Sequence, residues 1–339
     1  GTTIETLAEE QLSQQLQTIL NVDVAALKEW ARTERVEAEV IARQPEVVEA
    51  VAELTQLASG TGMAKQELLS SEPVIRLRAI LEPRCEAHGF EDFVVIDPTG
   101  LTLAALLDGP VGTRSISERS DFVPQVLAGR TLVSRPFVAA VDLPDENGEH
   151  WRPNRPTMFV ATPVIDAEGR TIAVFGLRIK PEVDFTRILR IARLGESGET
   201  YAFDDKGLIL SQSRFQEQLR EIGLLPQDPE VEAILNVQVR DPGGSLVDGF
   251  KPLVERNSQP LTIAAASAIA GNTAVNVEGY RDYRGVMVVG AWGWVDEARI
   301  GFVTEVDYDE AYRSLRLLRT IFWLLFGFLA VTAVGVLLS

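Results

Sequence analysis

The chain has 339 residues, 46% hydrophobic and 24% charged, and carries a net charge of −17. That length holds about two domains, and the balance of apolar and charged residues is that of folded globular protein. The acidic charge excludes nucleic acid, which needs a basic face, and disfavours adsorption to anionic lipid; one cysteine, Cys85, excludes an internal disulfide, and two histidines give no basis for a transition-metal site.

Residues 2–43 carry Leu12, Leu16, Ile19, Leu20, Leu27 and Trp30 at three- and four-residue spacings, with no Pro or Gly between. This predicts one helix about 60 Å long, a length that suits a stalk rising from a membrane. Pro45 interrupts it, a second helix is predicted over 46–57, residues 59–62 form a loop, and residues 64–88 are helical up to Gly89. A strand-rich block follows. Residues 93–96 lead into Asp97-Pro98-Thr99-Gly100, a turn with Pro second and Gly fourth, and residues 101–107 complete the hairpin. A short helix is predicted over 121–127, strands over 131–138, 157–165 and 171–179, and a linker helix over 180–191. Asp166-Ala167-Glu168-Gly169 joins the last two strands.

The arrangement then repeats. A strand over 199–203, the turn Asp204-Asp205-Lys206-Gly207 and a strand over 208–211 echo the first hairpin. Further strands are predicted over 261–266, 274–281, 286–292 and 300–306, with Asp282-Tyr283-Arg284-Gly285 as a connecting turn. The repeat is one of structure, not of sequence. A helix from residue 308 carries Ala311, Tyr312, Leu315 and Leu318 into residues 320–339, TIFWLLFGFLAVTAVGVLLS, which hold no charge. Twenty residues at 1.5 Å each match the roughly 30 Å of a bilayer core, so a membrane span is expected there. The chain starts with Gly1 rather than Met, and another span is expected just before it. Arg313, Arg316 and Arg319 flank the visible span; taken alone, the positive-inside rule would place that flank in the cytoplasm.

A long N-terminal helix, two tandem α/β modules and a helix into the membrane resemble a double Cache (dCache) sensor domain. The resemblance rests on VVIDPTG and TPVIDAEGRTIAVFGLRI in the first module. In the second it rests on GESGETYAFDDKGLILSQSRF, GYRDYRGVMVVGAWGWV and RIGFVTEVDYDEAY, and it covers about residues 4–312. It implies an α+β fold: a long N-terminal helix, two PAS-like Cache modules with antiparallel sheets, and a C-terminal transmembrane helix. The implied division is 1–57 stalk helices, 58–191 a membrane-distal, ligand-binding module, 192–307 a membrane-proximal module, and 308–339 the signalling and transmembrane helix. It further implies an inner-membrane receptor with residues before about 317 periplasmic or extracellular. Its output, a cytoplasmic kinase, cyclase or chemoreceptor, is not among these residues.

The strand over 171–179 alternates. Ala173, Phe175, Leu177 and Ile179 should pack on the long helices; Ile172, Val174, Gly176, Arg178 and Lys180 should face a ligand, with Gly176 leaving room. Arg178 is then a pocket residue, or a solvated charge near a strand end. In the amino-acid-binding branch of the family an Arg precedes a Tyr by three residues with a Trp between. Arg119-Ser120-Asp121-Phe122 resembles that segment: Arg119 falls on the carboxylate-binding Arg, Asp121 replaces the Trp and Phe122 the Tyr. Arg178 stands where that branch carries an ammonium-binding Asp. Two guanidinium groups suit a carboxylate or other anion better than an α-amino acid, unless Asp121 pairs with Arg119 and neutralises it. Trp151 and Arg155, in the polar segment between 137 and 157, are either a lid over the pocket or part of an exposed connection. Trp292 and Trp294 face one side and are expected to pack in the core of the second module, with no polar constellation beside them.

No phosphate-binding glycine loop, metal cluster or Gly-x-Ser-x-Gly elbow occurs, and Ser211 and Ser213 lack a partnered His. The expected activity is sensing a small molecule, without cofactor or catalysis, in a homodimer, since the long helix has enough apolar positions to serve both its own module and a partner helix. The alternative is a structural or partner-binding ectodomain with a degenerate pocket, signalling by dimer contacts. Apolar residues filling the space beside Arg178 would favour that alternative.

Overall fold

The computed structural model describes residues 2–60, 63–114, 122–144 and 151–313. The chain divides into two compact units, a mid-chain unit Ala25–Leu189 and a terminal unit made of Gly1–Val24 with Arg190–Ser339. Each is mixed α+β on an antiparallel sheet.

Helix α1 (Thr2–Ala42) is continuous, as its spacing predicts. In α2 (Pro45–Gly60), Val47, Ala50, Val51 and Leu54 recur on one helical face and are all fully buried. The helix runs to Gly60, into the residues expected as loop. The single helix expected over 64–88 is two, α3 (Lys65–Ser70) and α4 (Glu72–His88). Ser71 between them is extended, and Pro73, lacking an N–H, cannot continue the first helix yet fits the first turn of the second. Gly89 ends α4 in the left-handed region, with φ of 79° and its N–H bonded to the Cys85 carbonyl.

The mid-chain sheet contains β1 (Asp92–Ile96), β2 (Thr102–Ala105), β3 (Leu132–Val133) and β4 (Phe137–Val138). Helix α5 (Phe122–Leu127) falls between β2 and β3, and β5 (Leu143–Pro144) and β6 (Trp151–Arg152) make a separate two-stranded ladder. The long strands β7 (Pro156–Ile165) and β8 (Thr171–Ile179) complete the sheet in the order β2-β1-β8-β7-β3, with β4 also on β7. The strand expected over 131–138 is split because Pro136 cannot donate to a ladder. Ser134 bonds Phe159 instead: its N–H donates to the Phe159 carbonyl at 2.7 Å, and its hydroxyl accepts from the Phe159 N–H at 2.8 Å.

The expected linker helix over 180–191 is a π-turn, Pro181–Phe185, followed by the single turn α6 (Thr186–Ile188). The Thr186 N–H reaches back five residues to the Pro181 carbonyl, and its hydroxyl donates to the same oxygen at 3.0 Å. That widening uses up the turn, and the helix stops at 188.

The terminal unit has β9 (Glu199–Phe203), α7 (Gln216–Glu221), α8 (Ile263–Ile269), β10 (Ala274–Arg281), β11 (Met287–Val295), β12 (Ile300–Asp307) and α9 (Tyr308–Ala311). Its sheet order is β10-β11-β12-β9. The strand expected over 261–266 is the start of α8. The Thr262 hydroxyl caps the helix, accepting from the Ala265 N–H at 3.3 Å, and the alanines that follow are the best helix formers. The strand expected over 208–211 is reduced to isolated bridges, Ile209 to Phe203 and Leu208 to Gln238.

One turn recurs four times, at Asp97, Asp166, Asp204 and Asp282. Each carboxylate accepts from the N–H groups two and four residues on, at 2.8–3.1 Å. Each ends in a glycine with φ between 79° and 85°, namely Gly100, Gly169, Gly207 and Gly285. These are the turns that the Asp-x-x-Gly spacing predicts. Among the described residues no helix is long and apolar enough to cross a membrane; residues 320–339, where a span is expected, lie outside them.

Candidate functional site

Strand register sorts the mid-chain sheet into two faces. Phe93 and Val95 of β1 lie opposite Leu177 and Phe175 of β8, and Val160 of β7 shares their side. This face is apolar, and Phe93 stacks on Phe175 with centroids 6.4 Å apart. On the other face Asp92 lies opposite Arg178, Val94 opposite Gly176, and Phe159 beside Arg178, with Thr157 two residues before Phe159.

The alternation therefore points Arg178 to the face expected for a ligand, but not into solvent: the residue is only 3% exposed. Its Nη2 lies 3.4 Å from Asp92 Oδ2, and its guanidinium sits 5.3 Å from the centre of the Phe159 ring. Asp92 Oδ1 accepts from the N–H groups of Leu106 at 2.7 Å and Leu107 at 3.3 Å. Burial pushes the Asp92 carboxyl up to about 6, against the pull of Arg178, and the same burial lowers Arg178 from its usual value. Desolvation outweighs the attraction within the pair. Among the described residues, Asp92 Oδ2, Arg178 Nε and Nη1, and Thr157 Oγ1 are buried without a hydrogen-bond partner.

Three expectations change. The glycine at 176 does not leave open room: a Cβ there would come within 2.9 Å of Val94 Cγ2 and 3.5 Å of the Phe159 ring. The two close in because no side chain separates them. Arg178 does face a carboxylate, supplied across the ladder by Asp92 rather than by its own strand. Arg155 is held by Glu182 of the π-turn at 2.6 Å, with both side chains largely buried. Burial raises the Glu182 carboxyl above its usual range. Trp151, in β6, is 53% exposed. Phe122 is buried in α5, which packs on β7 and β8. Arg119 and Asp121 lie outside the described residues. Asp92, Thr157 and Phe159 escaped the sequence reading because strand register, which brings them to Arg178, has no local signature.

The terminal unit buries Trp292 in its core, with Trp294 packed against it, as expected. A polar cluster that the sequence reading missed shares this core. Glu305 Oε1 accepts from the hydroxyls of Tyr280 at 2.8 Å and Tyr201 at 3.2 Å. Glu199 Oε2 accepts from Tyr283 at 2.7 Å, and Tyr283 also pairs with the Ser213 hydroxyl at 2.8 Å. Burial and the nearby Asp282 hold the Glu305 carboxyl well above its usual range. These are internal bonds tying β9, β10 and β12 together. Ser211 is likewise structural, its hydroxyl accepting from the Ala202 N–H at 3.0 Å. Among the described residues no group of three or more His, Cys, Asp or Glu is placed to hold a metal.

No family model matches the chain, and no curated protein matches it. Solved structures do. One is the sensor domain of the V. cholerae histidine kinase DctB, with 14% identity, a TM-score of 0.49, and coverage of 90% of this chain and 98% of that one. Another is the ligand-binding domain of the Pseudomonas aeruginosa amino acid chemoreceptor PctB in complex with L-arginine, at 13% identity and a TM-score of 0.44, covering 89% and 98%. A third is the ligand-binding domain of the Campylobacter jejuni chemoreceptor Tlp3 in complex with L-valine, at 12% identity and a TM-score of 0.46, covering 91% and 96%. These neighbours are sensory domains of kinases and chemoreceptors.

Proposed function

We propose that the chain is the extracytoplasmic sensing region of a dCache-type membrane receptor, and that the mid-chain unit holds its ligand on the sheet face of Asp92, Thr157, Phe159 and Arg178. The observation that carries this reading is that four polar atoms on that buried face, Asp92 Oδ2, Thr157 Oγ1 and Arg178 Nε and Nη1, lack a hydrogen-bond partner. Buried polar groups are nearly always hydrogen-bonded, and each one left unpaired costs about 1–3 kcal/mol. A small polar ligand offsets that cost. Arg178 suits a carboxylate, and Asp92 adds a requirement for a donor, so the ligand class is a small carboxylate that also bears a hydroxyl or ammonium group. Phe159, with Phe137 stacked on it at 6.2 Å, supplies an apolar wall. Arg119 and Asp121 join the site in this proposal. The role is binding rather than catalysis; the receptor is a homodimer and passes its signal from α9 through residues 320–339 to a cytoplasmic kinase, cyclase or chemoreceptor module.

A second reading has its own support. Val94 and Phe159 crowd Gly176, which favours a partner-binding ectodomain whose pocket is filled. A thermal-shift screen of the chain against hydroxy acids, amino acids, other organic acids and amines separates the two. Ligand at 100 times its Kd stabilises the fold by about 2.7 kcal/mol. Stabilisation by a carboxylate, lost in Arg178→Ala and weakened in the nearly isosteric Thr157→Val, supports the sensor. No hit in any class sinks it and leaves the partner-driven ectodomain.

A further inference from the structure

Residues 241–258 of the terminal unit form a loop whose apolar side chains face outward. Leu253 is fully exposed, and Val247, Phe250 and Val254 are 40–53% exposed. The loop is pinned in place. Arg281 donates two bonds to Asp241, at 2.8 and 3.0 Å, and the Leu246 N–H donates to the Arg284 carbonyl at 3.0 Å. Arg256 Nη2 donates to the carbonyls of Gln238 at 2.6 Å and Tyr283 at 2.9 Å. The Phe250 ring lies on Gly244, where a Cβ would come within 2.6 Å of it. Four apolar side chains held outward by an ordered loop mark a contact surface rather than a scatter of single exposed residues.

Its place in the fold says what covers it. The loop packs on the β10–β11 turn, Asp282 to Gly285. That turn lies at the sheet end where β12 finishes: Asp307 pairs with Val288 and binds Arg284 at 2.9 Å. The chain leaves the sheet there into α9, and its uncharged stretch begins at residue 320 of the sequence. With Asp241 paired to Arg281 outside the loop, the remaining charges balance, Asp248 and Glu255 against Lys251 and Arg256, which suits zwitterionic headgroups better than a charged protein surface. We propose that this loop is a lipid-contacting tip, inserting Phe250 and Leu253 at the headgroup level of the bilayer that residues 320–339 enter. The inference rests on the membrane placement proposed above.

The test uses the chain reconstituted in phosphatidylcholine vesicles, with an environment-sensitive fluorophore on Leu253→Cys. Asp296→Cys, in the β11–β12 turn at the opposite sheet end, is the comparison. Cys85 is buried and its thiol is pushed up to about 12, so it stays unlabelled in the folded chain. The expected result is blue-shifted emission at 253, quenched by nitroxide-bearing lipid, with neither effect at 296. Water-like, unquenched emission at 253 overturns the proposal, and so does a blue shift that nitroxide lipid leaves untouched, which assigns the surface to a second copy of the chain. Failure of the chain to float with the vesicles overturns the membrane placement itself, whereas flotation with an unquenched 253 overturns only the lipid-contacting loop.

Discussion

Asp92 sits in an environment that penalises its charged form. Its carboxyl has a folded pKa of about 6 against an ordinary value of 3.8. A carboxyl raised in this way binds its proton more tightly in the folded state. Its contribution to stability is fully present below about pH 4 and is lost as the pH rises through 6. Two units at about 1.4 kcal/mol each set an upper bound of about 3 kcal/mol on that loss. Asparagine cannot titrate. Urea unfolding of the parent and of Asp92→Asn should therefore converge or cross between pH 4 and 7, the variant gaining relative to the parent as the pH rises. Stability curves that stay parallel over this range would refute the assignment. Asp23 of α1, fully buried in the terminal unit and facing Thr200 and Ala192, is also raised to about 6 by burial. It should show the same sign in Asp23→Asn.

The four Asp-x-x-Gly turns share one hydrogen-bond pattern yet differ in what surrounds their glycines. At Gly169, with φ of 80°, nothing lies within 4 Å of an added Cβ, so Gly169→Ala carries only the backbone cost of the left-handed region, about 1 kcal/mol. At Gly285 an added Cβ would run into the Gly244 carbonyl, and the clash brings the loss to about 2–4 kcal/mol. Chemical denaturation of the two variants measures the gap; equal losses would show that the Gly285 turn moves freely. These turns were legible in the sequence because their chemistry is local, an Asp acceptor and a glycine three residues later. The long strands β7, β8, β11 and β12 were legible for the same reason, each being a largely apolar run bounded by turn residues. What was not legible depended on distant partners or on competing local preferences. Leu261-Thr262-Ile263 reads as strand until Thr262 is seen to cap a run of alanines. The break at Ser71 follows from where Pro73 falls within its helix. The pairing of Asp92 with Arg178 needs the β1–β8 register, which no single segment carries, and so the candidate site was only half visible, through Arg178 alone.

Each unit has its own antiparallel sheet and its own buried polar group, but the two groups differ in kind. In the terminal unit Glu305 and Glu199 are satisfied by tyrosine hydroxyls, which makes that network a brace across β9, β10 and β12. In the mid-chain unit Asp92, Thr157 and Arg178 keep atoms without a hydrogen-bond partner on one sheet face, which leaves that face able to bind, although Asp23, Arg220 and Trp292 of the terminal unit also keep such atoms. A molecule satisfying those atoms suppresses local opening of the strands that carry them, and suppressed opening appears as slower amide exchange. Hydrogen exchange with and without a ligand from the thermal screen should thus show added protection first in β1, β7 and β8. Under the proposed receptor role the signal would leave through α9, so exchange in α9 and at the end of β12 should respond to the same ligand, with either sign. Ligand-dependent change confined to β9–β12 would place the site in the terminal unit. Protection in β1, β7 and β8 with no response in α9 would keep the binding site and remove the signalling role, because a ligand shifts a conformational equilibrium only by its difference in affinity between two states.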